Sequence, residues 1–243
     1  MDTFNQKRYT KLYSKQNLLV EKQLESERII NKVGKYLIKR EKVLDVGCGV
    51  GSFAAKIKDT FRNDVYGIDL NEAGINNAIK LGIKARVGDI EKRWPFKSES
   101  FDAVVSIQTI EHLVNPDFFL LESKRVLKRN GLIIISTPNL TNWFNRVIFL
   151  FGFQPFFTEV STVDKTLGLS FTRKLTGNRD TIGHIRVFAT RALVDILNFY
   201  KYRIVSVMGG EATYLPKFMR PFDKFFSLFP GLSSDVIIVA RKP

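Results

Sequence analysis

The chain has 243 residues, enough for one domain (1–243) with a sizeable core, and its 44% hydrophobic and 26% charged residues are those of a soluble globular protein. A lone cysteine, Cys48, excludes an intramolecular disulfide and fits a reducing, cytoplasmic setting; no secretory leader is visible and no apolar run reaches transmembrane length. The net charge of +14 points to an anionic partner, RNA, DNA or an acidic membrane surface, or else to a plain lysine-rich exterior.

In chain order, residues 1–41 carry apolar positions at helical spacing from Leu18 to Ile38, with lysines and arginines between them, and read as an N-terminal helical cap. Tyr9 and Tyr13, four apart, suit either the lining of a site or packing on a sheet edge. Val43-Leu44-Asp45-Val46 then reads as a buried strand of a parallel sheet. Gly47, Gly49 and Gly51 follow at alternate positions, where glycine permits a sharp turn and close approach by a ligand. Ser52 opens a helix to Phe61. A dinucleotide fingerprint would need a glycine at 52, so a nicotinamide-type cofactor is disfavoured. The pattern Asp45-Val46-Gly47-Cys48-Gly49-Val50-Gly51 instead resembles the first motif of class I S-adenosylmethionine-dependent methyltransferases. Cys48 within it reads as a small residue in a tight turn.

Val65–Leu70 is the next strand. Asp69 at its end suits the two ribose hydroxyls, because a carboxylate accepts from both at once; Asp69 or Asn71 also suits the N-cap of the helix over 72–81. Ile83–Val87 is a third strand, followed by Gly88-Asp89-Ile90. The resemblance implies that Asp89 meets the adenine amino group and Ile90 the ring face. Trp94-Pro95-Phe96 fits a pocket rim or a hydrophobic anchor. Phe101–Ser106 is a fourth strand. The segment after it, Gln108-Thr109-Ile110-Glu111-His112-Leu113, resembles the strand-four segment of the same family and lacks the turn of its adenine- and glutamine-methylating branches. A helix over 118–127 is expected to end in Lys128-Arg129-Asn130-Gly131, with Gly131 as left-handed cap. Leu132–Thr137 is a fifth strand.

The alternation breaks at residue 138 and resumes near Ala189, a gap long enough for a substrate-side insert. Gly183-His184-Ile185-Arg186-Val187-Phe188 at its end resembles a segment of small-molecule and glycan-related members, in which the histidine and arginine face the substrate. Trp143 is a further substrate-side candidate. Tyr202–Met208 and Asp235–Ala240 are the last strands. Of 21 phenylalanines, six lie in 143–157 and five in 218–229. They suit either a packed lid core or an apolar face for a lipid-bearing substrate at a membrane.

The resemblance implies an α/β fold: a doubly wound, Rossmann-like sheet of seven strands, order 3-2-1-4-5-7-6, last strand antiparallel, with inserts at 138–188 and 209–234. It implies S-adenosyl-L-methionine as cofactor, held by Asp45, Gly47, Cys48, Gly49, Gly51, Asp69, Leu70, Asp89, Ile90 and Gln108. The acceptor is expected to be a small-molecule, sugar or lipid-linked substrate methylated on oxygen, with His184, Arg186 and Trp143 contacting it. His112 or His184 is the imidazole available as general base. Contact with an anionic membrane fits the charge. An RNA methyltransferase is the second reading, and a non-catalytic S-adenosylmethionine-binding regulator the third. Two histidines isolated in sequence give no usual zinc spacing, so no metal is expected.

Overall fold

The computed structural model describes residues 16–169, 181–212 and 215–243, without the side chains of 16–25 and Lys217. Tyr9, Tyr13 and the polar stretch 173–180 lie outside the described residues. A seven-stranded sheet has the order β3-β2-β1-β4-β5-β7-β6. Its strands are β1 (Lys42–Val46), β2 (Asp64–Asp69), β3 (Lys84–Val87), β4 (Phe101–Ile107), β5 (Leu127–Pro138), β6 (Arg203–Gly210) and β7 (Asp235–Arg241). β1 to β5 pair in parallel, and β7 lies antiparallel between β5 and β6.

Helices cover both faces, which is why the central strands are apolar on both sides. The helices α1 (Gln16–Leu37), α2 (Ser52–Phe61) and α3 (Glu72–Lys80) cover one face. There Ile30, Val33, Leu37 and Ile57 pack against Val43, Val105 and Ile134. The C-terminal half of α1 is therefore a layer of the core. The other face carries α4 (Pro116–Val126) and α6 (Thr190–Phe199), where Phe119, Leu120, Leu193 and Leu197 meet Leu44, Val104 and Ile133.

Two local expectations change. α4 stops at Val126, because Leu127 is already extended (ψ 135°) and pairs with Phe101. Lys128 to Gly131 thus lie in an irregular start of β5, and the left-handed residue there is Asn130 (φ 61°), not Gly131. The first insert also contains a helix, α5 (Trp143–Leu150), capped by Asn142, whose side-chain oxygen accepts from the N–H of Asn145 at 2.8 Å.

Among the described residues the phenylalanines divide: Phe144, Phe156 and Phe157 pack ring against ring, as do Phe225, Phe226 and Phe229, while others face outward. α5 and α7 (Arg220–Phe226) touch through Trp143, whose ring stacks on Phe226 at 5.2 Å and 18°. The Trp143 indole N–H also donates to Asp223 at 3.1 Å. Phe149, Leu150, Phe151, Phe218, Phe222 and Leu228 remain 62–84% exposed. Among the described residues no helix is long and apolar enough to cross a membrane.

Candidate active site at the carboxyl edge of the sheet

Because β1 to β5 are parallel, the segments after Val46, Asp69, Val87, Ile107 and Pro138 emerge at one edge. β6 runs opposite to β7 and so in the direction of β5, which brings the segment after Gly210 to the same edge. Ligands of open α/β sheets bind at such an edge.

The glycine turn follows β1. Gly47, Gly49 and Gly51 take φ of 78°, 51° and 82°, a region that side chains rarely enter. A Cβ on Gly47 would also lie 2.4 Å from Oγ1 of Thr109, so the turn after β1 rests on the loop after β4. The N–H groups of Gly47 and Cys48 donate to the carbonyl of Ile68, at 2.9 and 3.3 Å. Gly49 N–H donates to Oδ2 of Asp69 at 2.8 Å, and Asn71 N–H donates to Oδ1 at 2.8 Å. Asn71, not Asp69, caps α3, by accepting from Gly74 N–H at 3.1 Å. Asp69 is therefore kept at the turn. Leu70 stands beside it, half-buried, and Asp45 is buried inside β1.

Cys48 is a packing residue. Burial, and then the charges of Asp45 and Asp69, push its thiol pKa well above the usual value, so it stays protonated. Further along the edge, Asp89 accepts from Glu91 N–H at 2.9 Å and pairs with Lys92 at 3.2 Å. Trp94 is an anchor rather than a rim: it is buried and its indole N–H donates to the carbonyl of Ile90 at 3.0 Å, fixing the loop that bears Asp89 and Ile90.

Gln108, at φ 52°, follows the end of β4 at Ile107, and a short 3-10 turn over Ile110–His112 comes next. There the structure joins residues far apart in sequence. The His112 and His184 rings lie 4.9 Å apart, and Phe157 packs on His184 at 5.2 Å. His112 Nδ1 sits 3.0 Å from the carbonyl of Gly183; a carbonyl only accepts, so Nδ1 carries a proton and Nε2 is the ring nitrogen turned away from this bond. Glu111 is fully buried, and its carboxylate accepts from the hydroxyl of Thr137 at 2.9 Å. Its backbone carbonyl accepts from the N–H groups of Ile185 and Arg186, at 2.8 and 3.0 Å, which ties the His184 segment to the turn. Glu111 and Thr137 were not legible as a pair in sequence, although Glu111 stands directly before the histidine that the reading singled out.

A family model described as "Methyltransferase domain" matches residues 44–135, from β1 to β5. Residues 44–135 of the chain are thus similar to a methyltransferase domain. Over 112 residues it is 30% identical to the "Ubiquinone biosynthesis O-methyltransferase" of Pelagibacter ubique, covering 43% of this chain and 45% of that protein. Over 102 residues it is 35% identical to the "Fatty-acid O-methyltransferase" of Mycolicibacterium smegmatis, covering 40% and 37%. The chain thus matches less than half the length of these relatives. In fold it is similar to a SAM-dependent methyltransferase from Thermotoga maritima, with a TM-score of 0.64, 20% identity and 97% of each chain covered.

Class I methyltransferase domains use S-adenosylmethionine, and the edge fits that cofactor. The left-handed glycine turn packs its backbone close: a Cβ at Gly47 would strike Thr109 and one at Gly51 would strike Ala78, so the turn is held against the loop after β4 and against α3. Asp45, Asp69 and Asp89 stand at or next to this edge. Such a set suits a ligand with a cationic sulfur and an ammonium group, and would repel a dinucleotide's pyrophosphate. The ring and N–H of Trp143 join α5 to α7. Arg186 is exposed and its Nε and Nη2 donate to the carbonyl of Val114, at 3.3 and 3.0 Å, clamping the loop after the 3-10 turn.

Proposed function

We propose that the chain transfers a methyl group to an oxygen atom of a lipid-linked, sugar or other small acceptor, working against an anionic membrane surface. The observation that carries this reading is the exposed apolar crest beside the candidate active site. α5 and α7 follow β5 and β6 at the carboxyl edge, so Phe149, Leu150, Phe151, Phe218 and Phe222 project next to the place where an acceptor would enter. Large exposed apolar patches mark interaction surfaces. Arg146, Arg220 and Lys224 are interleaved with them and exposed or half-exposed, and the whole chain carries +14. Apolar insertion plus attraction to anionic headgroups is how a surface of this kind holds a membrane. The relatives named for ubiquinone biosynthesis and for fatty acids support an oxygen acceptor with an apolar part.

When bound, S-adenosylmethionine supplies a methyl group on a positively charged sulfur. The chain's residues place it. The Gly47-Cys48-Gly49-Val50-Gly51 turn and Asp45 would receive the methionine end, with Gln108 beside it. Asp69 and Leu70 would take the ribose, Asp89 and Ile90 the adenine. His112 and His184 would hold the acceptor oxygen in line with the methyl group, and such alignment supplies much of the rate in a transfer of this kind.

The test is transfer of labelled methyl groups into three pools: a lipid extract presented in anionic vesicles, water-soluble small molecules, and RNA. Label in the lipid or small-molecule pool supports the reading. Label in RNA alone, falling steeply with salt, would replace it with the RNA reading that the net charge favours. Cofactor binding with no transfer to any pool would leave a regulatory binding protein.

A further inference from the structure

Glu111, His112 and His184 each offer one ligand atom, and these atoms all lie within 4.8 Å of one another. We propose that the three residues form a binding site for a divalent transition cation at the acceptor side of the methyl-transfer site. The inference deepens the proposed function and rests on it in one respect: it assigns how the acceptor oxygen is held.

The geometry is close to what a cation needs. Two ligands on one cation are separated by at most about 4.2 Å, twice a metal–nitrogen distance of about 2.1 Å. The outer limit here exceeds that by about 0.6 Å, which side-chain rotation closes. Two of the three ligands, His112 and Glu111, are held by partners of the kind metal ligands have. The His112 Nδ1–H donates to the carbonyl of Gly183, which orients the ring and presents Nε2. The hydroxyl of Thr137, buried in β5, holds the Glu111 carboxylate. The backbone bonds from Ile185 and Arg186 to the carbonyl of Glu111 bring His184 back to the same place. The site therefore draws on three separate segments, fixed by hydrogen bonds rather than by a flexible loop alone.

The donor set narrows the cation. Two imidazoles and one carboxylate suit manganese, iron, cobalt or zinc better than magnesium or calcium, which prefer oxygen throughout. Three protein ligands leave coordination positions open. Those positions lie after β4, on the same edge as the glycine turn. They suit an acceptor that presents two neighbouring oxygen atoms, such as adjacent hydroxyls or a hydroxyl beside a carbonyl. With both imidazoles committed to the cation, His112 and His184 position the acceptor through the metal and do not act as the general base.

The test uses the untagged full chain, stripped of metal, and needs no variant at first. The chain has only two histidines, so its imidazole C–H proton signals are few. Substoichiometric manganese(II) should broaden the signals of both together. Cobalt(II) titration should saturate at one ion per chain, His184→Asn should weaken it at least tenfold, and Thr137→Val should weaken it about tenfold. Binding of S-adenosylmethionine, measured on the same samples, should not change with either substitution. If manganese broadens neither histidine, or if cobalt binds wild type and His184→Asn equally, the cation site is overturned while the cofactor site stands. If cobalt binds as expected and S-adenosylmethionine does not bind at all, the methyl-transfer reading falls and the cation site stands.

Discussion

Asp69 accepts the backbone N–H of Gly49 at 2.8 Å, so the acidic end of β2 and the glycine turn after β1 form one unit. A second carboxylate oxygen takes Asn71 N–H. Each oxygen still has lone-pair capacity for a ribose hydroxyl. Asp69→Ala should therefore lose about 2 kcal/mol of S-adenosylmethionine binding, roughly a thirtyfold weaker Kd. Calorimetric titration at two salt concentrations checks this. The loss should persist at high salt, because a short charged hydrogen bond is screened little. An unchanged Kd would remove Asp69 from the ribose.

Among the described residues Glu122 and Arg125 form the most enclosed ion pair, with Arg125 Nη2 2.7 Å from the carboxylate and side-chain exposures of 9% and 18%. Burial alone would raise the Glu122 pKa; the two bonds from Arg125 and the Trp94 N–H at 2.9 Å outweigh it and hold the carboxyl below its usual range. A depressed folded pKa contributes stability above the unfolded value of about 4.3 and loses it as pH falls through the folded value. Glu122→Gln should thus melt several degrees below wild type at pH 7. The gap should close as the pH drops below about 4. A gap that stayed constant with pH would assign the loss to packing.

The central strands and the glycine turn were legible because each is local in sequence and the strands are apolar on both faces, whereas the order of the sheet, which is not local, came with the family resemblance. The place of Asp69 at the end of β2 was legible for the same reason, and its competition with Asn71 for the cap needed coordinates. The meeting of His112 with His184 was not, since it depends on backbone bonds from Ile185 and Arg186 to Glu111. The end of α4 was misread because basic residues and a glycine imitate a helix terminus, whereas pairing of Leu127 with Phe101 ends the helix earlier. The fate of the phenylalanines was undecidable from spacing. A helical stripe reads alike whether it meets a core or solvent.

Gly47 carries two constraints that can be separated. Its φ of 78° is strained for a side chain, and a Cβ would sit 2.4 Å from Thr109 Oγ1. Gly47→Ala should cost about 1–2 kcal/mol for the backbone and a further ~1–3 kcal/mol for the overpacking. Adding Thr109→Ala should recover the second part and leave the first. Urea unfolding of the four members of that cycle gives the coupling directly. Full recovery in the double variant would mean the backbone bears no strain, and none would mean the two loops are not in contact.

The last prediction concerns the crest. Phe149 and Phe222 are 66% and 62% exposed, so replacing them removes little that holds the fold. The double variant Phe149→Ser, Phe222→Ser should melt within about four degrees of wild type, since exposed substitutions usually stay within about 0.5 kcal/mol each. Its retention by vesicles is another matter. Each phenylalanine buried in lipid contributes about 1.5–3 kcal/mol, so losing both should weaken binding to anionic vesicles by at least a hundredfold. Neutral vesicles should hold wild type less well, because the basic residues around the crest then contribute nothing. Raising the salt should weaken retention on anionic vesicles towards that neutral value and no further, as the apolar part is not screened. Sedimentation with vesicles of both compositions measures all of this. Equal retention of wild type and double variant would separate the crest from the membrane and leave the charge alone to attract it.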